Sequence, residues 1–305
     1  MAELQVLARG LRFPEGPVAM PDGAVVLVEI ARGTLTRIAP DGAASVLARP
    51  GGGPNGLAIG PEGAFYLCNN GGFLWDDAPG LLRPVGTPGD YSGGRIERVD
   101  PATGAVSLLY ESCNGHKLRG PNDIVFDAHG GFYFTDLGKT RPRDRDHGGV
   151  YYARADGSRI VEIAHPVLTP NGIGLSPDGR TLYVAETETA RLWAFDIAEP
   201  GVVDKRPFPS PHGGRLVCGL PGYQRFDSLA VDGLGNICVA TLISGQITSI
   251  RPDGTVLRQV PMPDPYTTNI CFGGPDLHTA YITLSGTGQL VAMRWPEPGL
   301  RLAHT

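Results

Sequence analysis

Six acid or amide side chains recur at one position of a repeated motif, and together they could form a cation site. The copies read FPEGPVAMPDG, PNGLAIGPEG, PNDIVFDAHG, PNGIGLSPDG, FDSLAVDGLG and TNICFGGPD. Their shared polar position is held by Glu15, Asn55, Asn122, Asn171, Asp227 and Asn269. Two carboxylates and four amides offer hard oxygen donors only, with no thiolate and no patterned histidine. That set suits calcium, then magnesium or manganese; zinc, which favours nitrogen and sulfur, fits less well. Two carboxylates balance a divalent charge, and amide carbonyls add ligands without overcharging the site. A lone Asn-Gly in a β protein is ordinarily a turn, and Asn55 and Asn269 taken singly carry no more than that. Six coincident positions, two of them acidic, point to a site containing at least Glu15 and Asp227.

The elements that must position these residues follow from the repeat. The markers are 40, 67, 49, 56 and 42 residues apart, the period of four-stranded propeller blades. In the first unit, Gly16 to Met20 reads as an inner strand, followed by a Pro-Asp-Gly turn and strands at Val25 to Ile30, Thr34 to Ala39 and Ser45 to Ala48. Asp-Gly between apolar runs is a hairpin signal because it tolerates positive φ. The expected fold is all-β: one domain over residues 1–305, a six-bladed β-propeller with four-stranded blades. The N-terminal VLARGLRFPEG parallels VLARPGGGPNG. Leu4 to Leu11 should therefore close the last blade, with Leu300 to His304 as a competitor for the same edge. Closure removes exposed strand edges.

Equivalent marker positions converge on the axis at one mouth of such a ring. A second ring lies about fourteen residues further on: Glu29, Asn69, Asp136, Glu186, Thr241 and Thr283. These sit at the ends of second strands, where turn formation and bonds to neighbouring backbone are the ordinary roles; Asp136 and Glu186 are also kept as pocket residues. Insertions at Gly71 to Gly93 and Leu137 to Gly148 leave from the same face. The first carries Trp75, Leu81, Leu82 and Tyr91 and reads as a lid or pocket wall.

Composition excludes several classes. The net charge is −5 with no Lys/Arg stripe, which argues against nucleic acid. No run approaches the roughly 20 apolar residues of a membrane span. Five cysteines, none in a CxxC pair, fit a reducing, cytoplasmic setting better than a disulfide framework. There is no GxSxG elbow, no HExxH and no P-loop lysine.

On these residues the chain resembles the senescence-marker-protein/gluconolactonase, or regucalcin-like, family over essentially its whole length. The pieces that carry the resemblance are PEGP around Glu15, GPNDIVFD around Asn122, PNGIGLSPDG around Asn171 and FDSLAVDGLGNICVA around Asp227, with TTNICFGGPD near the end. The resemblance implies a six-bladed propeller with one divalent metal near the channel mouth. It implies Glu15, Asn171 and Asp227 as metal ligands, Asn122 as a fourth ligand or a substrate contact, and Asp227 also as acid/base. Arg119 is a match for a substrate-binding arginine, although an extra residue separates it from Asn122. Where the family has Asp-Gly after the last acid, this chain has Asp227-Ser228. Family members include sugar-lactone hydrolases and relatives that hydrolyse organophosphates. The expectation is a metal-dependent lactonase with calcium as the first choice of ion, ahead of magnesium, manganese, zinc or iron(II). Asn122, Arg119, Asn55 and Asp136 are its expected contacts to a small lactone or ester, and Trp75, Leu81 and Leu82 hint at a less polar substrate. The rival readings are an organophosphate or ester hydrolase with the same centre, and a non-catalytic propeller with a structural calcium.

Overall fold

A computed structural model describes residues 3–305. Short apolar runs separated by Gly, Pro and Asp turns form antiparallel strands, and the described residues contain no α-helix. Five four-stranded sheets and one five-stranded sheet follow one another along the chain. Their inner strands are Pro14–Ala19, Pro54–Ile59, Pro121–Phe126, Pro170–Leu175, Arg225–Val231 and Thr267–Gly273. Each inner strand touches the inner strands of the two flanking sheets, and the last touches the first. The ring is therefore closed, a six-bladed β-propeller with blades numbered 1 to 6 from Pro14.

Closure is made by the N-terminus. Gln5–Ala8 is the outer strand of blade 6, pairing antiparallel to Gln289–Arg294 with Gln5 opposite Ala292 and Ala8 opposite Leu290. The C-terminal residues Leu300 to His304 do not compete for that edge. Blade 4 carries an additional short strand, Val202–Asp204, beside its outer strand Arg215–Gly219. The core lies between blades, where Phe132, Phe134 and Tyr66, or Tyr133, Leu182 and Phe195, fill the space from facing sheets. All five cysteines are free thiols, and Cys68, Cys113 and Cys238 are buried as small apolar residues.

Two local features aim the markers. Every inner strand has a break in register at or beside its marker: between Glu15 and Val18, Pro54 and Leu57, Pro121 and Ile124, Pro170 and Ile173, Phe226 and Leu229, and Thr267 and Asn269. A bulge bends its strand and re-aims a side chain. Three markers are followed by glycine because the next blade leaves no room. A Cβ on Gly56 would lie 2.4 Å from the Asn122 carbonyl oxygen, and one on Gly172 would lie 2.6 Å from that of Asp227. The Asn-Gly pairs thus reflect close approach at the hub rather than turn geometry. Gly56→Ala should cost about 1–3 kcal/mol by overpacking and displace Asn122, measurable as a lower urea midpoint at unchanged slope.

Candidate functional site at the channel mouth

The markers begin the inner strands, so they share one mouth of the channel. Glu15 is 3% exposed, and its Oε2 accepts hydrogen bonds from its neighbour Gly16 N (2.9 Å) and from Asn269 Nδ2 across the blade 6 boundary (2.8 Å). Asn171 donates from Nδ2 to Thr187 Oγ1 (3.1 Å), and its Oδ1 accepts from Ser228 Oγ at 3.5 Å. Asp227 is buried and bonded to the Asn171 side chain. Asn122 is buried with its Oδ1 unpartnered. Asn55 occupies the equivalent place in blade 2, also buried.

The hub holds a third acid that the marker positions do not include. Asp123 is 7% exposed, and its Oδ1 accepts from Ile124 N at 2.9 Å. The charges of Glu15 and Asp227 act on it or are acted on by it. A signal for it exists in the sequence: the residue after the marker is glycine in blades 1, 2 and 4, so an acid there in blade 3 stands out. Ser228 stands at the same position in blade 5 and reaches both Asn171 and Asp123. The departure from Asp-Gly at this point thus adds a buried hydroxyl to the hub.

Electrostatics here are unbalanced. Burial, with the neighbouring Glu15 charge second, holds the Asp227 carboxyl well above its ordinary range, while the Asn171 bond opposes the shift. Burial also raises Glu15, and it pushes Asp123 up to about 7. No lysine, arginine or histidine compensates these three among the described residues. Uncompensated buried carboxylates are costly, and a divalent cation is the group that would relieve them. The unpartnered Asn122 oxygen fits the same group, since a buried acceptor without a donor is unusual. No three His, Cys, Asp or Glu side chains converge as a metal cluster among the described residues. Any ion here must therefore take amide oxygens as well as carboxylates.

Four of the six second-ring residues build the loops that lead to the markers, while Thr241 and Thr283 bond to neighbouring strand residues Thr248 and Thr268. Glu29 accepts from Arg12 N (2.8 Å), Asn69 Oδ1 from Gly53 N (2.9 Å), and Glu186 from Leu168 N (3.3 Å). Asp136 accepts from Arg119 N and Gly120 N, both at 2.7 Å, and from Gly138 N at 2.9 Å. Each grips the segment entering its own blade's inner strand. Asp136 thus uses its oxygens on backbone amides and Glu186 on the Leu168 amide and the Thr189 hydroxyl (2.7 Å), and both shape the loops. Arg119 has an exposed side chain at this face, and its carbonyl accepts from Tyr91 OH at 2.5 Å.

The insertion after Asn69 is a docked wall. Leu74–Ala78 and Leu81–Gly86 form a hairpin that reaches over blade 1 to blade 6. Leu82 is buried, and its N–H donates to Gly286 O (2.9 Å); Trp75 packs on Phe13 at 5.1 Å between centroids. The other end is fastened by Lys139 of the blade 3 insertion, whose Nζ donates to Gly72 O (2.6 Å) and Asn70 Oδ1 (3.2 Å) and lies 4.3 Å from the centre of the Phe73 ring. Burial lowers this ammonium to about 7. Trp75 and Leu82 are occupied in docking, so the hint of an apolar substrate they gave is withdrawn.

This architecture is a six-bladed propeller with a polar, acid-rich hub at one mouth of its channel. The chain belongs to the SMP-30/gluconolactonase/LRE-like family, whose model matches residues 13–286. It is 26% identical over 298 residues to the gluconolactonase of Zymomonas mobilis, spanning 88% of this chain and 76% of that one. It is 28% identical over 262 residues to the lactonase drp35 of Staphylococcus saprophyticus, spanning 85% and 72%. A gluconolactonase structure from Xanthomonas campestris shares the fold, with a TM-score of 0.75 at 24% identity over 97% of this chain and 90% of that one.

Proposed function

We propose that this chain hydrolyses a small lactone at the channel mouth and depends on one divalent ion held by the hub. The observation that carries the reading is the group of buried carboxyls without a cationic partner, set beside the free amide oxygen of Asn122. Glu15, Asn171 and Asp227 would hold the ion through their side-chain oxygens, and Asn122 Oδ1 would be a fourth ligand or a substrate contact. The hard-oxygen set favours calcium. When bound, the ion supplies positive charge that polarises the lactone carbonyl.

The chain's own residues then have defined tasks. Asp227 accepts a proton from the attacking water as its oxygen joins the carbonyl carbon. That proton passes to the ring oxygen as the C–O bond breaks, giving a hydroxy acid. The Asn122 amide orients the lactone and supports developing negative charge. Asn55 and Arg119 would meet substrate hydroxyls, and Asp136 would serve by holding the loop that carries Arg119. This polar lining, the lactonase relatives and the docked hairpin favour a polyhydroxylated sugar lactone. Five free thiols favour a reducing, cytoplasmic setting.

The test is a panel of δ-gluconolactone, an alkyl lactone and a phosphotriester, assayed by acid release with calcium present. Turnover should be highest on the sugar lactone. Turnover only on the phosphotriester would move the function to organophosphate hydrolysis, and none on any member would leave a binding propeller with a structural ion.

A further inference from the structure

Beyond the acidic ring the channel changes character. Gly16, Asp123 and Asn269 mark the upper end of a cavity of about 590 Å³ that runs down the inner strands. Its walls include Met20, Ile59, Phe126, Leu175, Val231 and Phe272, one from each blade. The N-terminus closes the ring, so the C-terminal segment Leu300 to Thr305 is free to lie across the far end of this cavity, which it lines. Backbone bonds fix its entry: Gly299 N donates to Leu277 O (2.8 Å) and Leu300 N to Val231 O (3.1 Å). His304 meets Phe126 edge-on, 5.2 Å between ring centres. Its Nε2 is buried and has no hydrogen-bond partner among the described residues.

These features describe a site rather than a void. An apolar cavity holds water poorly because water needs several polar partners, and its lining loses dispersion contacts while nothing fills it. Concave, mostly apolar walls are the usual form of a small-molecule pocket. We propose that the distal channel is a second small-molecule site, separate from the lactone mouth. Its ligand is uncharged and largely hydrocarbon, and the C-terminal segment is its gate. Charge is confined to the two ends, Asp123 above and Arg301 at the rim, which is why the ligand body is neutral. The proposal does not depend on the lactonase reading.

The probe is N-phenyl-1-naphthylamine, a neutral fluorophore, titrated into the protein. One saturable site per chain is expected, unchanged by saturating δ-gluconolactone. Ala230, on the cavity wall and three residues past Asp227, is the place to fill it. Ala230→Phe should weaken the probe by about tenfold or more, the overpacking cost expressed as affinity, while leaving lactone turnover intact. Removing residues 300–305 should speed probe release. If Ala230→Phe does not fold, Ala58→Phe on blade 2 fills the same cavity. A crystal soaked with the probe should show it inside the ring of Met20, Ile59, Phe126, Leu175, Val231 and Phe272. Absence of saturable binding, displacement by the lactone, or wild-type affinity in a folded filled-cavity variant would overturn the proposal.

Discussion

Asp227→Asn and Glu15→Gln should each lower lactone turnover by about 10³-fold or more, the scale on which loss of a charged catalytic centre is felt, and both should raise the stability of the metal-free protein at pH 7. The second half of this expectation separates a cation site from a structural network. Glu15 and Asp227 are buried, each is raised above the ordinary carboxylate range chiefly by burial, and the charge of Glu15 further raises Asp227. Replacing either acid by its isosteric amide removes the cost of burying a group that ionises at pH 7 in the unfolded chain, and keeps the shape. The gain should be about 1–4 kcal/mol by comparison with other buried charges replaced by neutral groups, read from urea unfolding in chelator. Calcium should then stabilise wild type and leave both variants unmoved. If instead the amide variants are less stable than wild type in chelator and retain turnover, the carboxylates are serving only the fold.

The pH dependence of stability carries the second large effect. In the folded metal-free protein Asp123 keeps its proton up to about 7, whereas an unfolded aspartate releases it near 3.8. Between those values the folded state binds more protons, so stability falls as pH rises. The scale is about 2–4 kcal/mol for a shift of this size, with Glu15 and Asp227 adding in the same direction. Lys139 acts oppositely at higher pH. Its folded ammonium titrates near 7 and its unfolded one near 10.5, so the unfolded state binds the extra proton and stability rises across that interval. Metal-free protein should therefore show a stability minimum near pH 7 in urea titrations from pH 4 to 10. Calcium should lift the minimum, because binding favours the ionised acids and releases protons. A metal-free profile rising steadily from pH 4 to 7 would contradict the buried-acid account of the hub.

Much of this molecule was legible in its sequence because a propeller repeats its instructions. The spacing of Glu15, Asn55, Asn122, Asn171, Asp227 and Asn269 marks six inner strands, and the likeness of VLARGLRFPEG to VLARPGGGPNG correctly placed Gln5–Ala8 as an outer strand. The roles of individual residues were harder to read, since they depend on what faces them across blades. Asn-Gly looks like a turn until Gly56 is seen against the Asn122 carbonyl. Asp136 resembles a pocket acid until its oxygens are found on three backbone amides. Trp75 and Leu82 look exposed in a glycine-rich insertion, yet they pack against Phe13 and Gly286 from blades distant in sequence. Asp123 escaped a scheme that took one position per blade, although its contrast with Gly16, Gly56 and Gly172 was visible. The path of Leu300 to Thr305 across the channel has no counterpart elsewhere in the repeat, so periodicity could not place it.

The most direct test of the hub as a cation centre is to strip the protein with chelator and titrate calcium back while following both heat and δ-gluconolactone hydrolysis. One ion should bind per chain, and turnover should rise from near zero in step with occupancy, with neither signal in Asp227→Asn. Full turnover in the stripped protein, or calcium binding that survives Asp227→Asn, would contradict the assignment.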